Sequence, residues 1–401
     1  MCTKHNSYMK IYFIGQKGIP AVGGGVENYV DNLAVRLAQH GHDVFVYTRW
    51  KYSDRRSKIY KGVNLINLPS LSTKNLDAIS HTFLATLHLL FQKVDIIHYH
   101  SIGPSSLLWL PKIFKRSTLI VATFQSQCYF HQKWSHFAQI YLRLGEYILC
   151  TFADTIIVPS KILQKRCLHL YGKQAVCIPN GVTITPAPKI FDSSLTKWNL
   201  KNNAYILAVS RLIRHKGIHY LIKAYQATDT DKKLVIVGDG SYTDAYVRDL
   251  KKLAKDNKNI IFTGNQFGSN LRNLYSNAYA FVQSSESEGF SIALLEAMSY
   301  GLPIIASDIK ENQEVLGRAA FFFKNKQTFD LVKVLHYVLS HPTQAHNQGQ
   351  KALQLVKKKY DWDKLVNEIE EIYVNAHEIK KNNLIKRKHH FGLSTAINNK
   401  L

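Results

Sequence analysis

The feature that most constrains this chain is an alternation of short apolar strands with amphipathic helices, run through twice with a break between. Residues 9–15 (MKIYFIG) read as a buried strand, followed by a glycine-rich loop and a helix over 26–39 that stops at Gly41. Strands follow at 43–48, 94–98, 119–123 and 155–159. At Pro179-Asn180-Gly181-Val182 the pattern meets a turn, and Thr185-Pro186-Ala187-Pro188 reads as a linker. The alternation then restarts, with strands at 205–210, 233–237, 260–263, 280–284, 303–307 and 319–323. Helices fall at 218–227, 242–256, 270–276, 292–300 and 328–340. Strands and helices in turn imply a parallel sheet covered on both faces. The expected fold class is therefore α/β: two Rossmann-like, doubly wound parallel-sheet domains facing across a cleft, with ligands at the carboxyl ends of the strands. The length of 401 residues suits two such domains.

Charge narrows the partners. The net charge is +24, and residues 1–200 carry 23 Lys/Arg against 9 Asp/Glu. Such a surface suits a polyanion: nucleic acid, an anionic membrane face or phosphorylated substrates. Hydrophobic residues at 46% exclude a disordered chain. The five cysteines form no CxxC pair and read as reduced thiols, not as a disulfide frame or zinc site. No run approaches about 18 apolar residues, so a spanning helix is not expected. The opening MCTKHNSYMK lacks the apolar centre of a signal peptide, and Met9 is an alternative start. The reduced thiols point to a cytoplasmic protein.

Three motifs carry chemistry. In SSESEGFSIALLEAMSYGLPIIASD (284–308), Glu288 precedes Gly289-Phe290-Ser291, and Glu296 follows eight residues later. Eight residues span at most about 12 Å along a helix, comparable to the distance from a ribose to a sugar across a diphosphate. Free N–H groups of Gly289, Phe290 and Ser291 would meet that diphosphate at a helix N-terminus, with a carboxylate at each end for hydroxyl groups. The same residues also fit an ordinary helix cap with two solvated glutamates. In VSRLIRHKG (209–217), Arg211 and Lys216 supply two cations that could neutralise a leaving diphosphate without a metal, or serve as basic loop residues. The loop GQKGIPAVGGGVE (15–27) lets backbone approach a phosphate or sugar, yet it is neither G-x-G-x-x-G nor a Walker loop.

Taken in order, the GGG loop, IPNGV at 178–182, Arg211 with Lys216, VGDG at 237–240 and EGF…LLEAMSYGLP closely resemble the family 4 glycosyltransferases. These are retaining enzymes of the two-domain GT-B fold, and the resemblance runs from about Lys10 to Tyr373. The opening IGQKGIP…GGGVENYVDNLA and the later HQKW look like bacterial surface and exopolysaccharide sugar transferases. The resemblance implies a nucleotide-diphosphate-sugar donor held by Arg211 and Lys216. It places Glu288 on the sugar, the amides of Gly289, Phe290 and Ser291 on the sugar hydroxyls or the phosphate, and Glu296 on the ribose. Gly24 and Gly25 of the Gly23–Gly25 loop would lie near the diphosphate and acceptor. It further implies an acceptor-side domain over 1–185, a donor domain over 186–362 and C-terminal helices at about 363–385 packing back on the first domain. A basic tail follows at 386–401. No metal or other cofactor is implied.

One departure stands out. Where the family usually has a histidine near the donor sugar after this strand, Thr123-Phe124-Gln125 places Gln125, which can hydrogen-bond but not carry a proton at neutral pH. His131, six residues on, reads as a surface or acceptor-site histidine more readily than as a substitute. The expected function is transfer of a hexose-type sugar to an acceptor hydroxyl of a surface glycan or lipid-linked acceptor. The alternative is a non-catalytic nucleotide-sugar or glycan-binding partner of an active transferase. An epimerase of the same fold fits the two cations and two glutamates poorly, and nucleic-acid binding explains the charge but not the motifs. Asp229-Thr230-Asp231 has the form of a metal-binding D-x-D but reads as a polar loop. His98-Tyr99-His100 reads as strand-end residues lining the cleft, and Glu146 and Asp154 as structural. Aromatic and basic residues at 107–116 and 129–149 suit a peripheral patch against anionic lipid at the inner face of the cytoplasmic membrane, or equally aromatic residues packing the domain core with lysines at its rim.

Overall fold

The computed structural model describes residues 8–21, 24–73, 76–130, 135–184, 193–240 and 243–398. They form two units, Met1–Pro179 with Trp362–Leu401, and Asn180–Asp361. The first holds a sheet of eight strands: β1 (Lys10–Ile14), β2 (Asp43–Arg49), β3 (Ile59–Tyr60), β4 (Val63–Leu68), β5 (Ile96–His100), β6 (Leu119–Thr123), β7 (Thr155–Val158) and β8 (Val176–Cys177), in the order β3-β4-β2-β1-β5-β6-β7-β8. Every pairing is parallel except the hairpin β3–β4. Three of these strands are illegible in the sequence pattern. Two contain only two residues each, and β4 (VNLINL) interrupts its apolar positions with asparagines. Asn64 reaches Asp43 at 3.1 Å and Asn67 reaches the Ser57 carbonyl at 3.1 Å, so both serve pairing, not burial.

The second unit has six parallel strands: β9 (Tyr205–Val209), β10 (Lys233–Val237), β11 (Ile260–Gly264), β12 (Ala280–Gln283), β13 (Ile304–Ser307) and β14 (Phe321–Phe323), ordered β11-β10-β9-β12-β13-β14. Period-two alternation divides each strand between two cores. Ile11 and Phe13 of β1 face one cluster, Tyr12 and Ile14 the other. In β10, Val235 and Val237 oppose Leu234 and Ile236 in the same way. Both faces of both sheets are thus covered, as buried parallel strands require.

The chain enters and leaves the second unit side by side: Val182 bridges Asp361, and its N–H donates to the Tyr360 carbonyl at 2.8 Å. The final helix, Trp362–Asn398, then joins the first unit. Trp362, Leu365, Val366, Ile369 and Tyr373 recur at helical spacing and are buried in its core. Arg36 bonds Asp363 at 2.7 Å, and His40 and His42 reach Glu370 at 2.6 and 3.1 Å. Further along, Lys380 reaches Asp154 at 2.5 Å and the Thr118 carbonyl at 2.6 Å. Among the described residues no helix is long and apolar enough to cross a membrane.

Candidate active site

In the second unit, two loops at the carboxyl ends of adjacent strands β9 and β12 are clasped together. Gly217 adopts φ +66°, and a Cβ there would collide with the Ser284 carbonyl oxygen. Gly238, at φ +130°, approaches the Ser210 carbonyl just as closely. Only glycine combines that backbone with that approach. The Ser284 hydroxyl donates to the Lys216 carbonyl at 3.1 Å, and the Glu286 N–H to the His215 carbonyl at 2.7 Å. This clasp delivers Lys216 to Glu288. The ammonium donates to both carboxylate oxygens at 2.6 and 2.7 Å, and the Ser285 hydroxyl adds a third bond at 2.6 Å. Burial alone would raise the Glu288 pKa. The Lys216 charge and the hydrogen bonds from Lys216 and Ser285 outweigh it and hold the carboxyl below its ordinary range. Arg211, on the same loop, is exposed, and its side chain makes no hydrogen bond or ion pair among the described residues.

The helix beyond Glu288 begins at Ile292 and ends at Ser299. The spacing from Glu288 to Glu296 is therefore not one continuous helical rise, since residues 288–291 form a loop. Phe290 turns its ring toward Tyr360 (5.9 Å between centroids) and packs on the core. Ser291 caps the helix, accepting from the Leu294 N–H at 3.3 Å and donating to Gln283 at 2.7 Å. Gln283 in turn is held by Asn312 at 2.8 Å. Those side chains anchor the loop. The amides of Gly289, Phe290 and Ser291, just before the helix, donate to no acceptor among the described residues. Glu296, half-buried, accepts from the Tyr275 hydroxyl at 2.9 Å, and Tyr300 stacks on Tyr275. Burial raises its pKa to about 7, although the Tyr275 bond opposes this.

In the first unit, Gly24 (φ +107°) caps the helix Gly25–Gln39. The glycine-rich loop folds back on that helix: the Lys17 N–H donates to Glu27 at 3.0 Å and the Ala21 N–H to Asp31 at 2.8 Å. Gln125 follows β6 and is nearly buried, and its amide nitrogen has no partner among the described residues. Gly23, His131 and the linker at 185–188 lie outside the described residues. His98 and His100 do not line an opening as the sequence suggested. Both are fully buried with rings 4.1 Å apart, and His98 bridges Tyr373 and Thr123 at 2.6 Å each. Burial, with His100 adding to it, holds the His98 pKa well below its ordinary value, so this pair is neutral core. Glu146 pairs with Arg166 at 2.6 Å, and Asp154 ties the Ile120 N–H (2.9 Å) to Lys112 and Lys380.

Among the described residues no group of His, Cys, Asp or Glu is arranged to hold a metal. Asp229 and Asp231 lie in the loop before β10, where the Thr230 hydroxyl accepts from the Lys232 N–H at 3.2 Å. Ser285 and Tyr275, the partners of the two glutamates, escape sequence reading. Ser285 stands three residues before Glu288, the spacing of a capping pair, which is the one local sign of it.

Two doubly wound sheets, with a cation, carboxylates and free helix-start amides at the strand ends of one, define an α/β enzyme of the GT-B type. The Glycosyltransferase Family 4 profile matches residues 23–185, and that of Glycosyl transferases group 1 matches residues 192–355. The chain belongs to the family 4 glycosyltransferases. It is 26% identical to an uncharacterized glycosyltransferase of Methanocaldococcus jannaschii, over 92% of this chain and 99% of that one. It is also 26% identical to the alpha-monoglucosyldiacylglycerol synthase of Streptococcus pneumoniae, over 74% of this chain and 71% of the relative. Among solved structures, Anabaena Alr3699/HepE in complex with UDP-glucose superposes with a TM-score of 0.77, covering 92% of this chain and 100% of that one at 18% identity.

Proposed function

We propose that this protein transfers a hexose-type sugar from a nucleotide-diphosphate-sugar donor to an acceptor hydroxyl, with retained anomeric configuration, in surface-glycan or lipid-linked glycan synthesis at the inner face of the cytoplasmic membrane. The observation that carries the reading is the Lys216–Glu288 pair beside the free amides of 289–291. A lysine has three donors, so Nζ can keep Glu288 while turning a bond toward a phosphate. Arg211 adds a second, uncommitted cation for the charge that grows on the departing diphosphate. Glu288, kept ionised by Lys216, accepts from sugar hydroxyls, and Glu296 accepts from the ribose. The complex of the Anabaena protein with UDP-glucose supports a donor of this class. The reaction on this reading uses no metal.

Gln125 keeps a second reading in play, that of a nucleotide-sugar-binding partner without turnover, because an amide can orient a sugar but not move a proton at neutral pH. A thermal-shift panel of UDP, GDP, dTDP and ADP sugars, followed by donor hydrolysis, separates the two. A donor-specific shift with slow hydrolysis, both reduced in Glu288→Ala and Arg211→Ala, supports the transferase. A shift without hydrolysis that Gln125→His restores supports the second reading. No shift with any donor refutes both.

The membrane part of the proposal rests on the helix His136–Phe152. Its buried side packs on the core, yet Phe137, Ile140, Leu144 and Tyr147 form an exposed stripe, Phe137 being 86% exposed. Ile113 and Phe114 are also exposed, near Lys115 and Arg116. Flotation with anionic but not neutral vesicles is the expected result, and equal flotation with both removes the electrostatic part.

A further inference from the structure

The turn after β2, Trp50-Lys51-Tyr52-Ser53-Asp54-Arg55-Arg56, belongs to none of the motifs above, yet it concentrates aromatic and cationic groups at strand ends. Its base is built from the glycine-rich loop. The Arg49 N–H donates to the Lys17 carbonyl at 2.8 Å, the Gln16 amide donates to the Tyr47 carbonyl at 2.7 Å, and Gly18 packs on Ser53. Trp50 is 41% exposed and carries the Arg55 guanidinium 4.6 Å above its ring, while Lys17 lies 5.1 Å over Tyr52. Lys17, Lys51, Arg55 and Arg56 are all exposed and form no ion pair among the described residues. The lone acid, Asp54, accepts from the Arg56 backbone N–H at 3.0 Å. Beneath them, Arg49 is buried against Asp77 at 2.7 Å with its Nε unpartnered, and Gln16 Oε1 and Ser53 Oγ are likewise buried without partners.

We propose that this turn, with Lys17, is a recognition platform for an acidic saccharide, the acceptor of the transfer reaction or its neighbouring residue. The inference rests on the transferase reading and adds the acceptor's chemical class. With the Arg55 guanidinium on one face of the indole, the opposite face is the apolar surface on which a pyranose ring would stack. A guanidinium stacked on that indole keeps its fork of N–H groups at the edge, where a carboxylate or phosphate is met bidentately. A neutral glycan would leave four exposed cations unused, and a bare phosphate would leave Trp50 unused. The shared chemistry is a sugar ring bearing an anion, whether uronate or phosphate.

The test uses the full-length protein and three defined probes: trigalacturonate, a maltotriose bearing a terminal phosphate, and unmodified maltotriose. Binding is followed by calorimetry and by saturation-transfer NMR at low and moderate salt. The acidic probes are expected to bind at least about tenfold more tightly than maltotriose, since each charge-assisted contact is worth about tenfold, and to weaken with salt. The trigalacturonate and phosphate arms tell which anion is preferred. Trp50→Ala and Arg55→Gln/Arg56→Gln should each cost about tenfold or more, the arginine pair with unchanged melting temperature because its side chains are exposed. Equal affinity for acidic and neutral probes, insensitivity to both variants, or no saturable binding overturns the proposal. Tighter, Trp50-dependent binding of oligo-dT overturns it too, in favour of a nucleic acid. Nucleoside-diphosphate thermal shifts are read in parallel. If they persist while the saccharides fail, the platform falls and the transferase stands. If they vanish while acidic saccharides bind, the donor reading is the one at fault.

Discussion

Replacing Lys216 with methionine strands the Glu288 carboxylate. That side chain is 7% exposed, and two of its three hydrogen bonds come from Lys216. Removing one partner of a buried pair costs about 3–5 kcal/mol, because the other charge stays desolvated. For a domain of this size each kcal/mol is about 2–4 °C, so a fall of roughly 6–20 °C in melting temperature is expected at pH 8. The sign of the pH dependence is the sharper test. In the unaltered protein Lys216 holds the folded pKa of Glu288 below the unfolded one, so its stabilisation is present at neutral pH and is lost as pH falls through the folded pKa. In Lys216→Met, burial dominates and places the folded pKa above the unfolded one. The penalty is then absent at low pH and grows as pH rises through the folded value. The gap between the two proteins should narrow as pH falls from 8 and close only below the ordinary carboxylate range, and adding Glu288→Gln to Lys216→Met should recover most of the loss at pH 8. A gap that stays constant with pH, or a loss under about 1 kcal/mol at pH 8, refutes the account of Glu288 as a charge held by Lys216.

Other expectations follow from single contacts. Glu296, raised to about 7 by burial, contributes stability that is full below its unfolded value and is lost as pH rises toward 7. Glu296→Gln should therefore gain melting temperature relative to the unaltered protein between pH 5 and pH 8, and a flat difference would count against burial as the cause. Gly217→Ala meets both a left-handed backbone and the Ser284 carbonyl. It should lose about 1–3 kcal/mol by denaturant titration, together with nucleotide binding, because the clasp that delivers Lys216 opens. Tyr373→Phe removes the partner of buried His98 and should cost about 1–3 kcal/mol in the same titration.

How much was legible differs from one part of the chain to another. The second unit reads almost element by element, because its strands are uninterrupted apolar runs and its loops carry their own glycines and charges. Arg211, Lys216, Glu288 and Glu296 stand out there as residue types at a spacing. The first unit reads less completely. Its β3 and β8 are too short to show a period, and Asn64 and Asn67 disguise β4 as a loop.

The sequence by itself determined the α/β class, the repeat of the motif and the set of polar residues offered at strand ends, since all of these follow from local periodicity and turn chemistry. Only the tertiary structure decided which of those residues meet. Lys216 and Glu288 are 72 positions apart, and they touch because β9 and β12 are neighbours and Gly217 lets their loops close. His98 looks like a site residue in the sequence and is core in the fold, because a helix from the far end of the chain covers it and supplies Tyr373. Phe290 and Ser291 likewise spend their side chains on packing and capping, leaving only backbone for a ligand. Residue type sets what a group can do, but burial and partners, which depend on contacts distant in sequence, set what it is free to do.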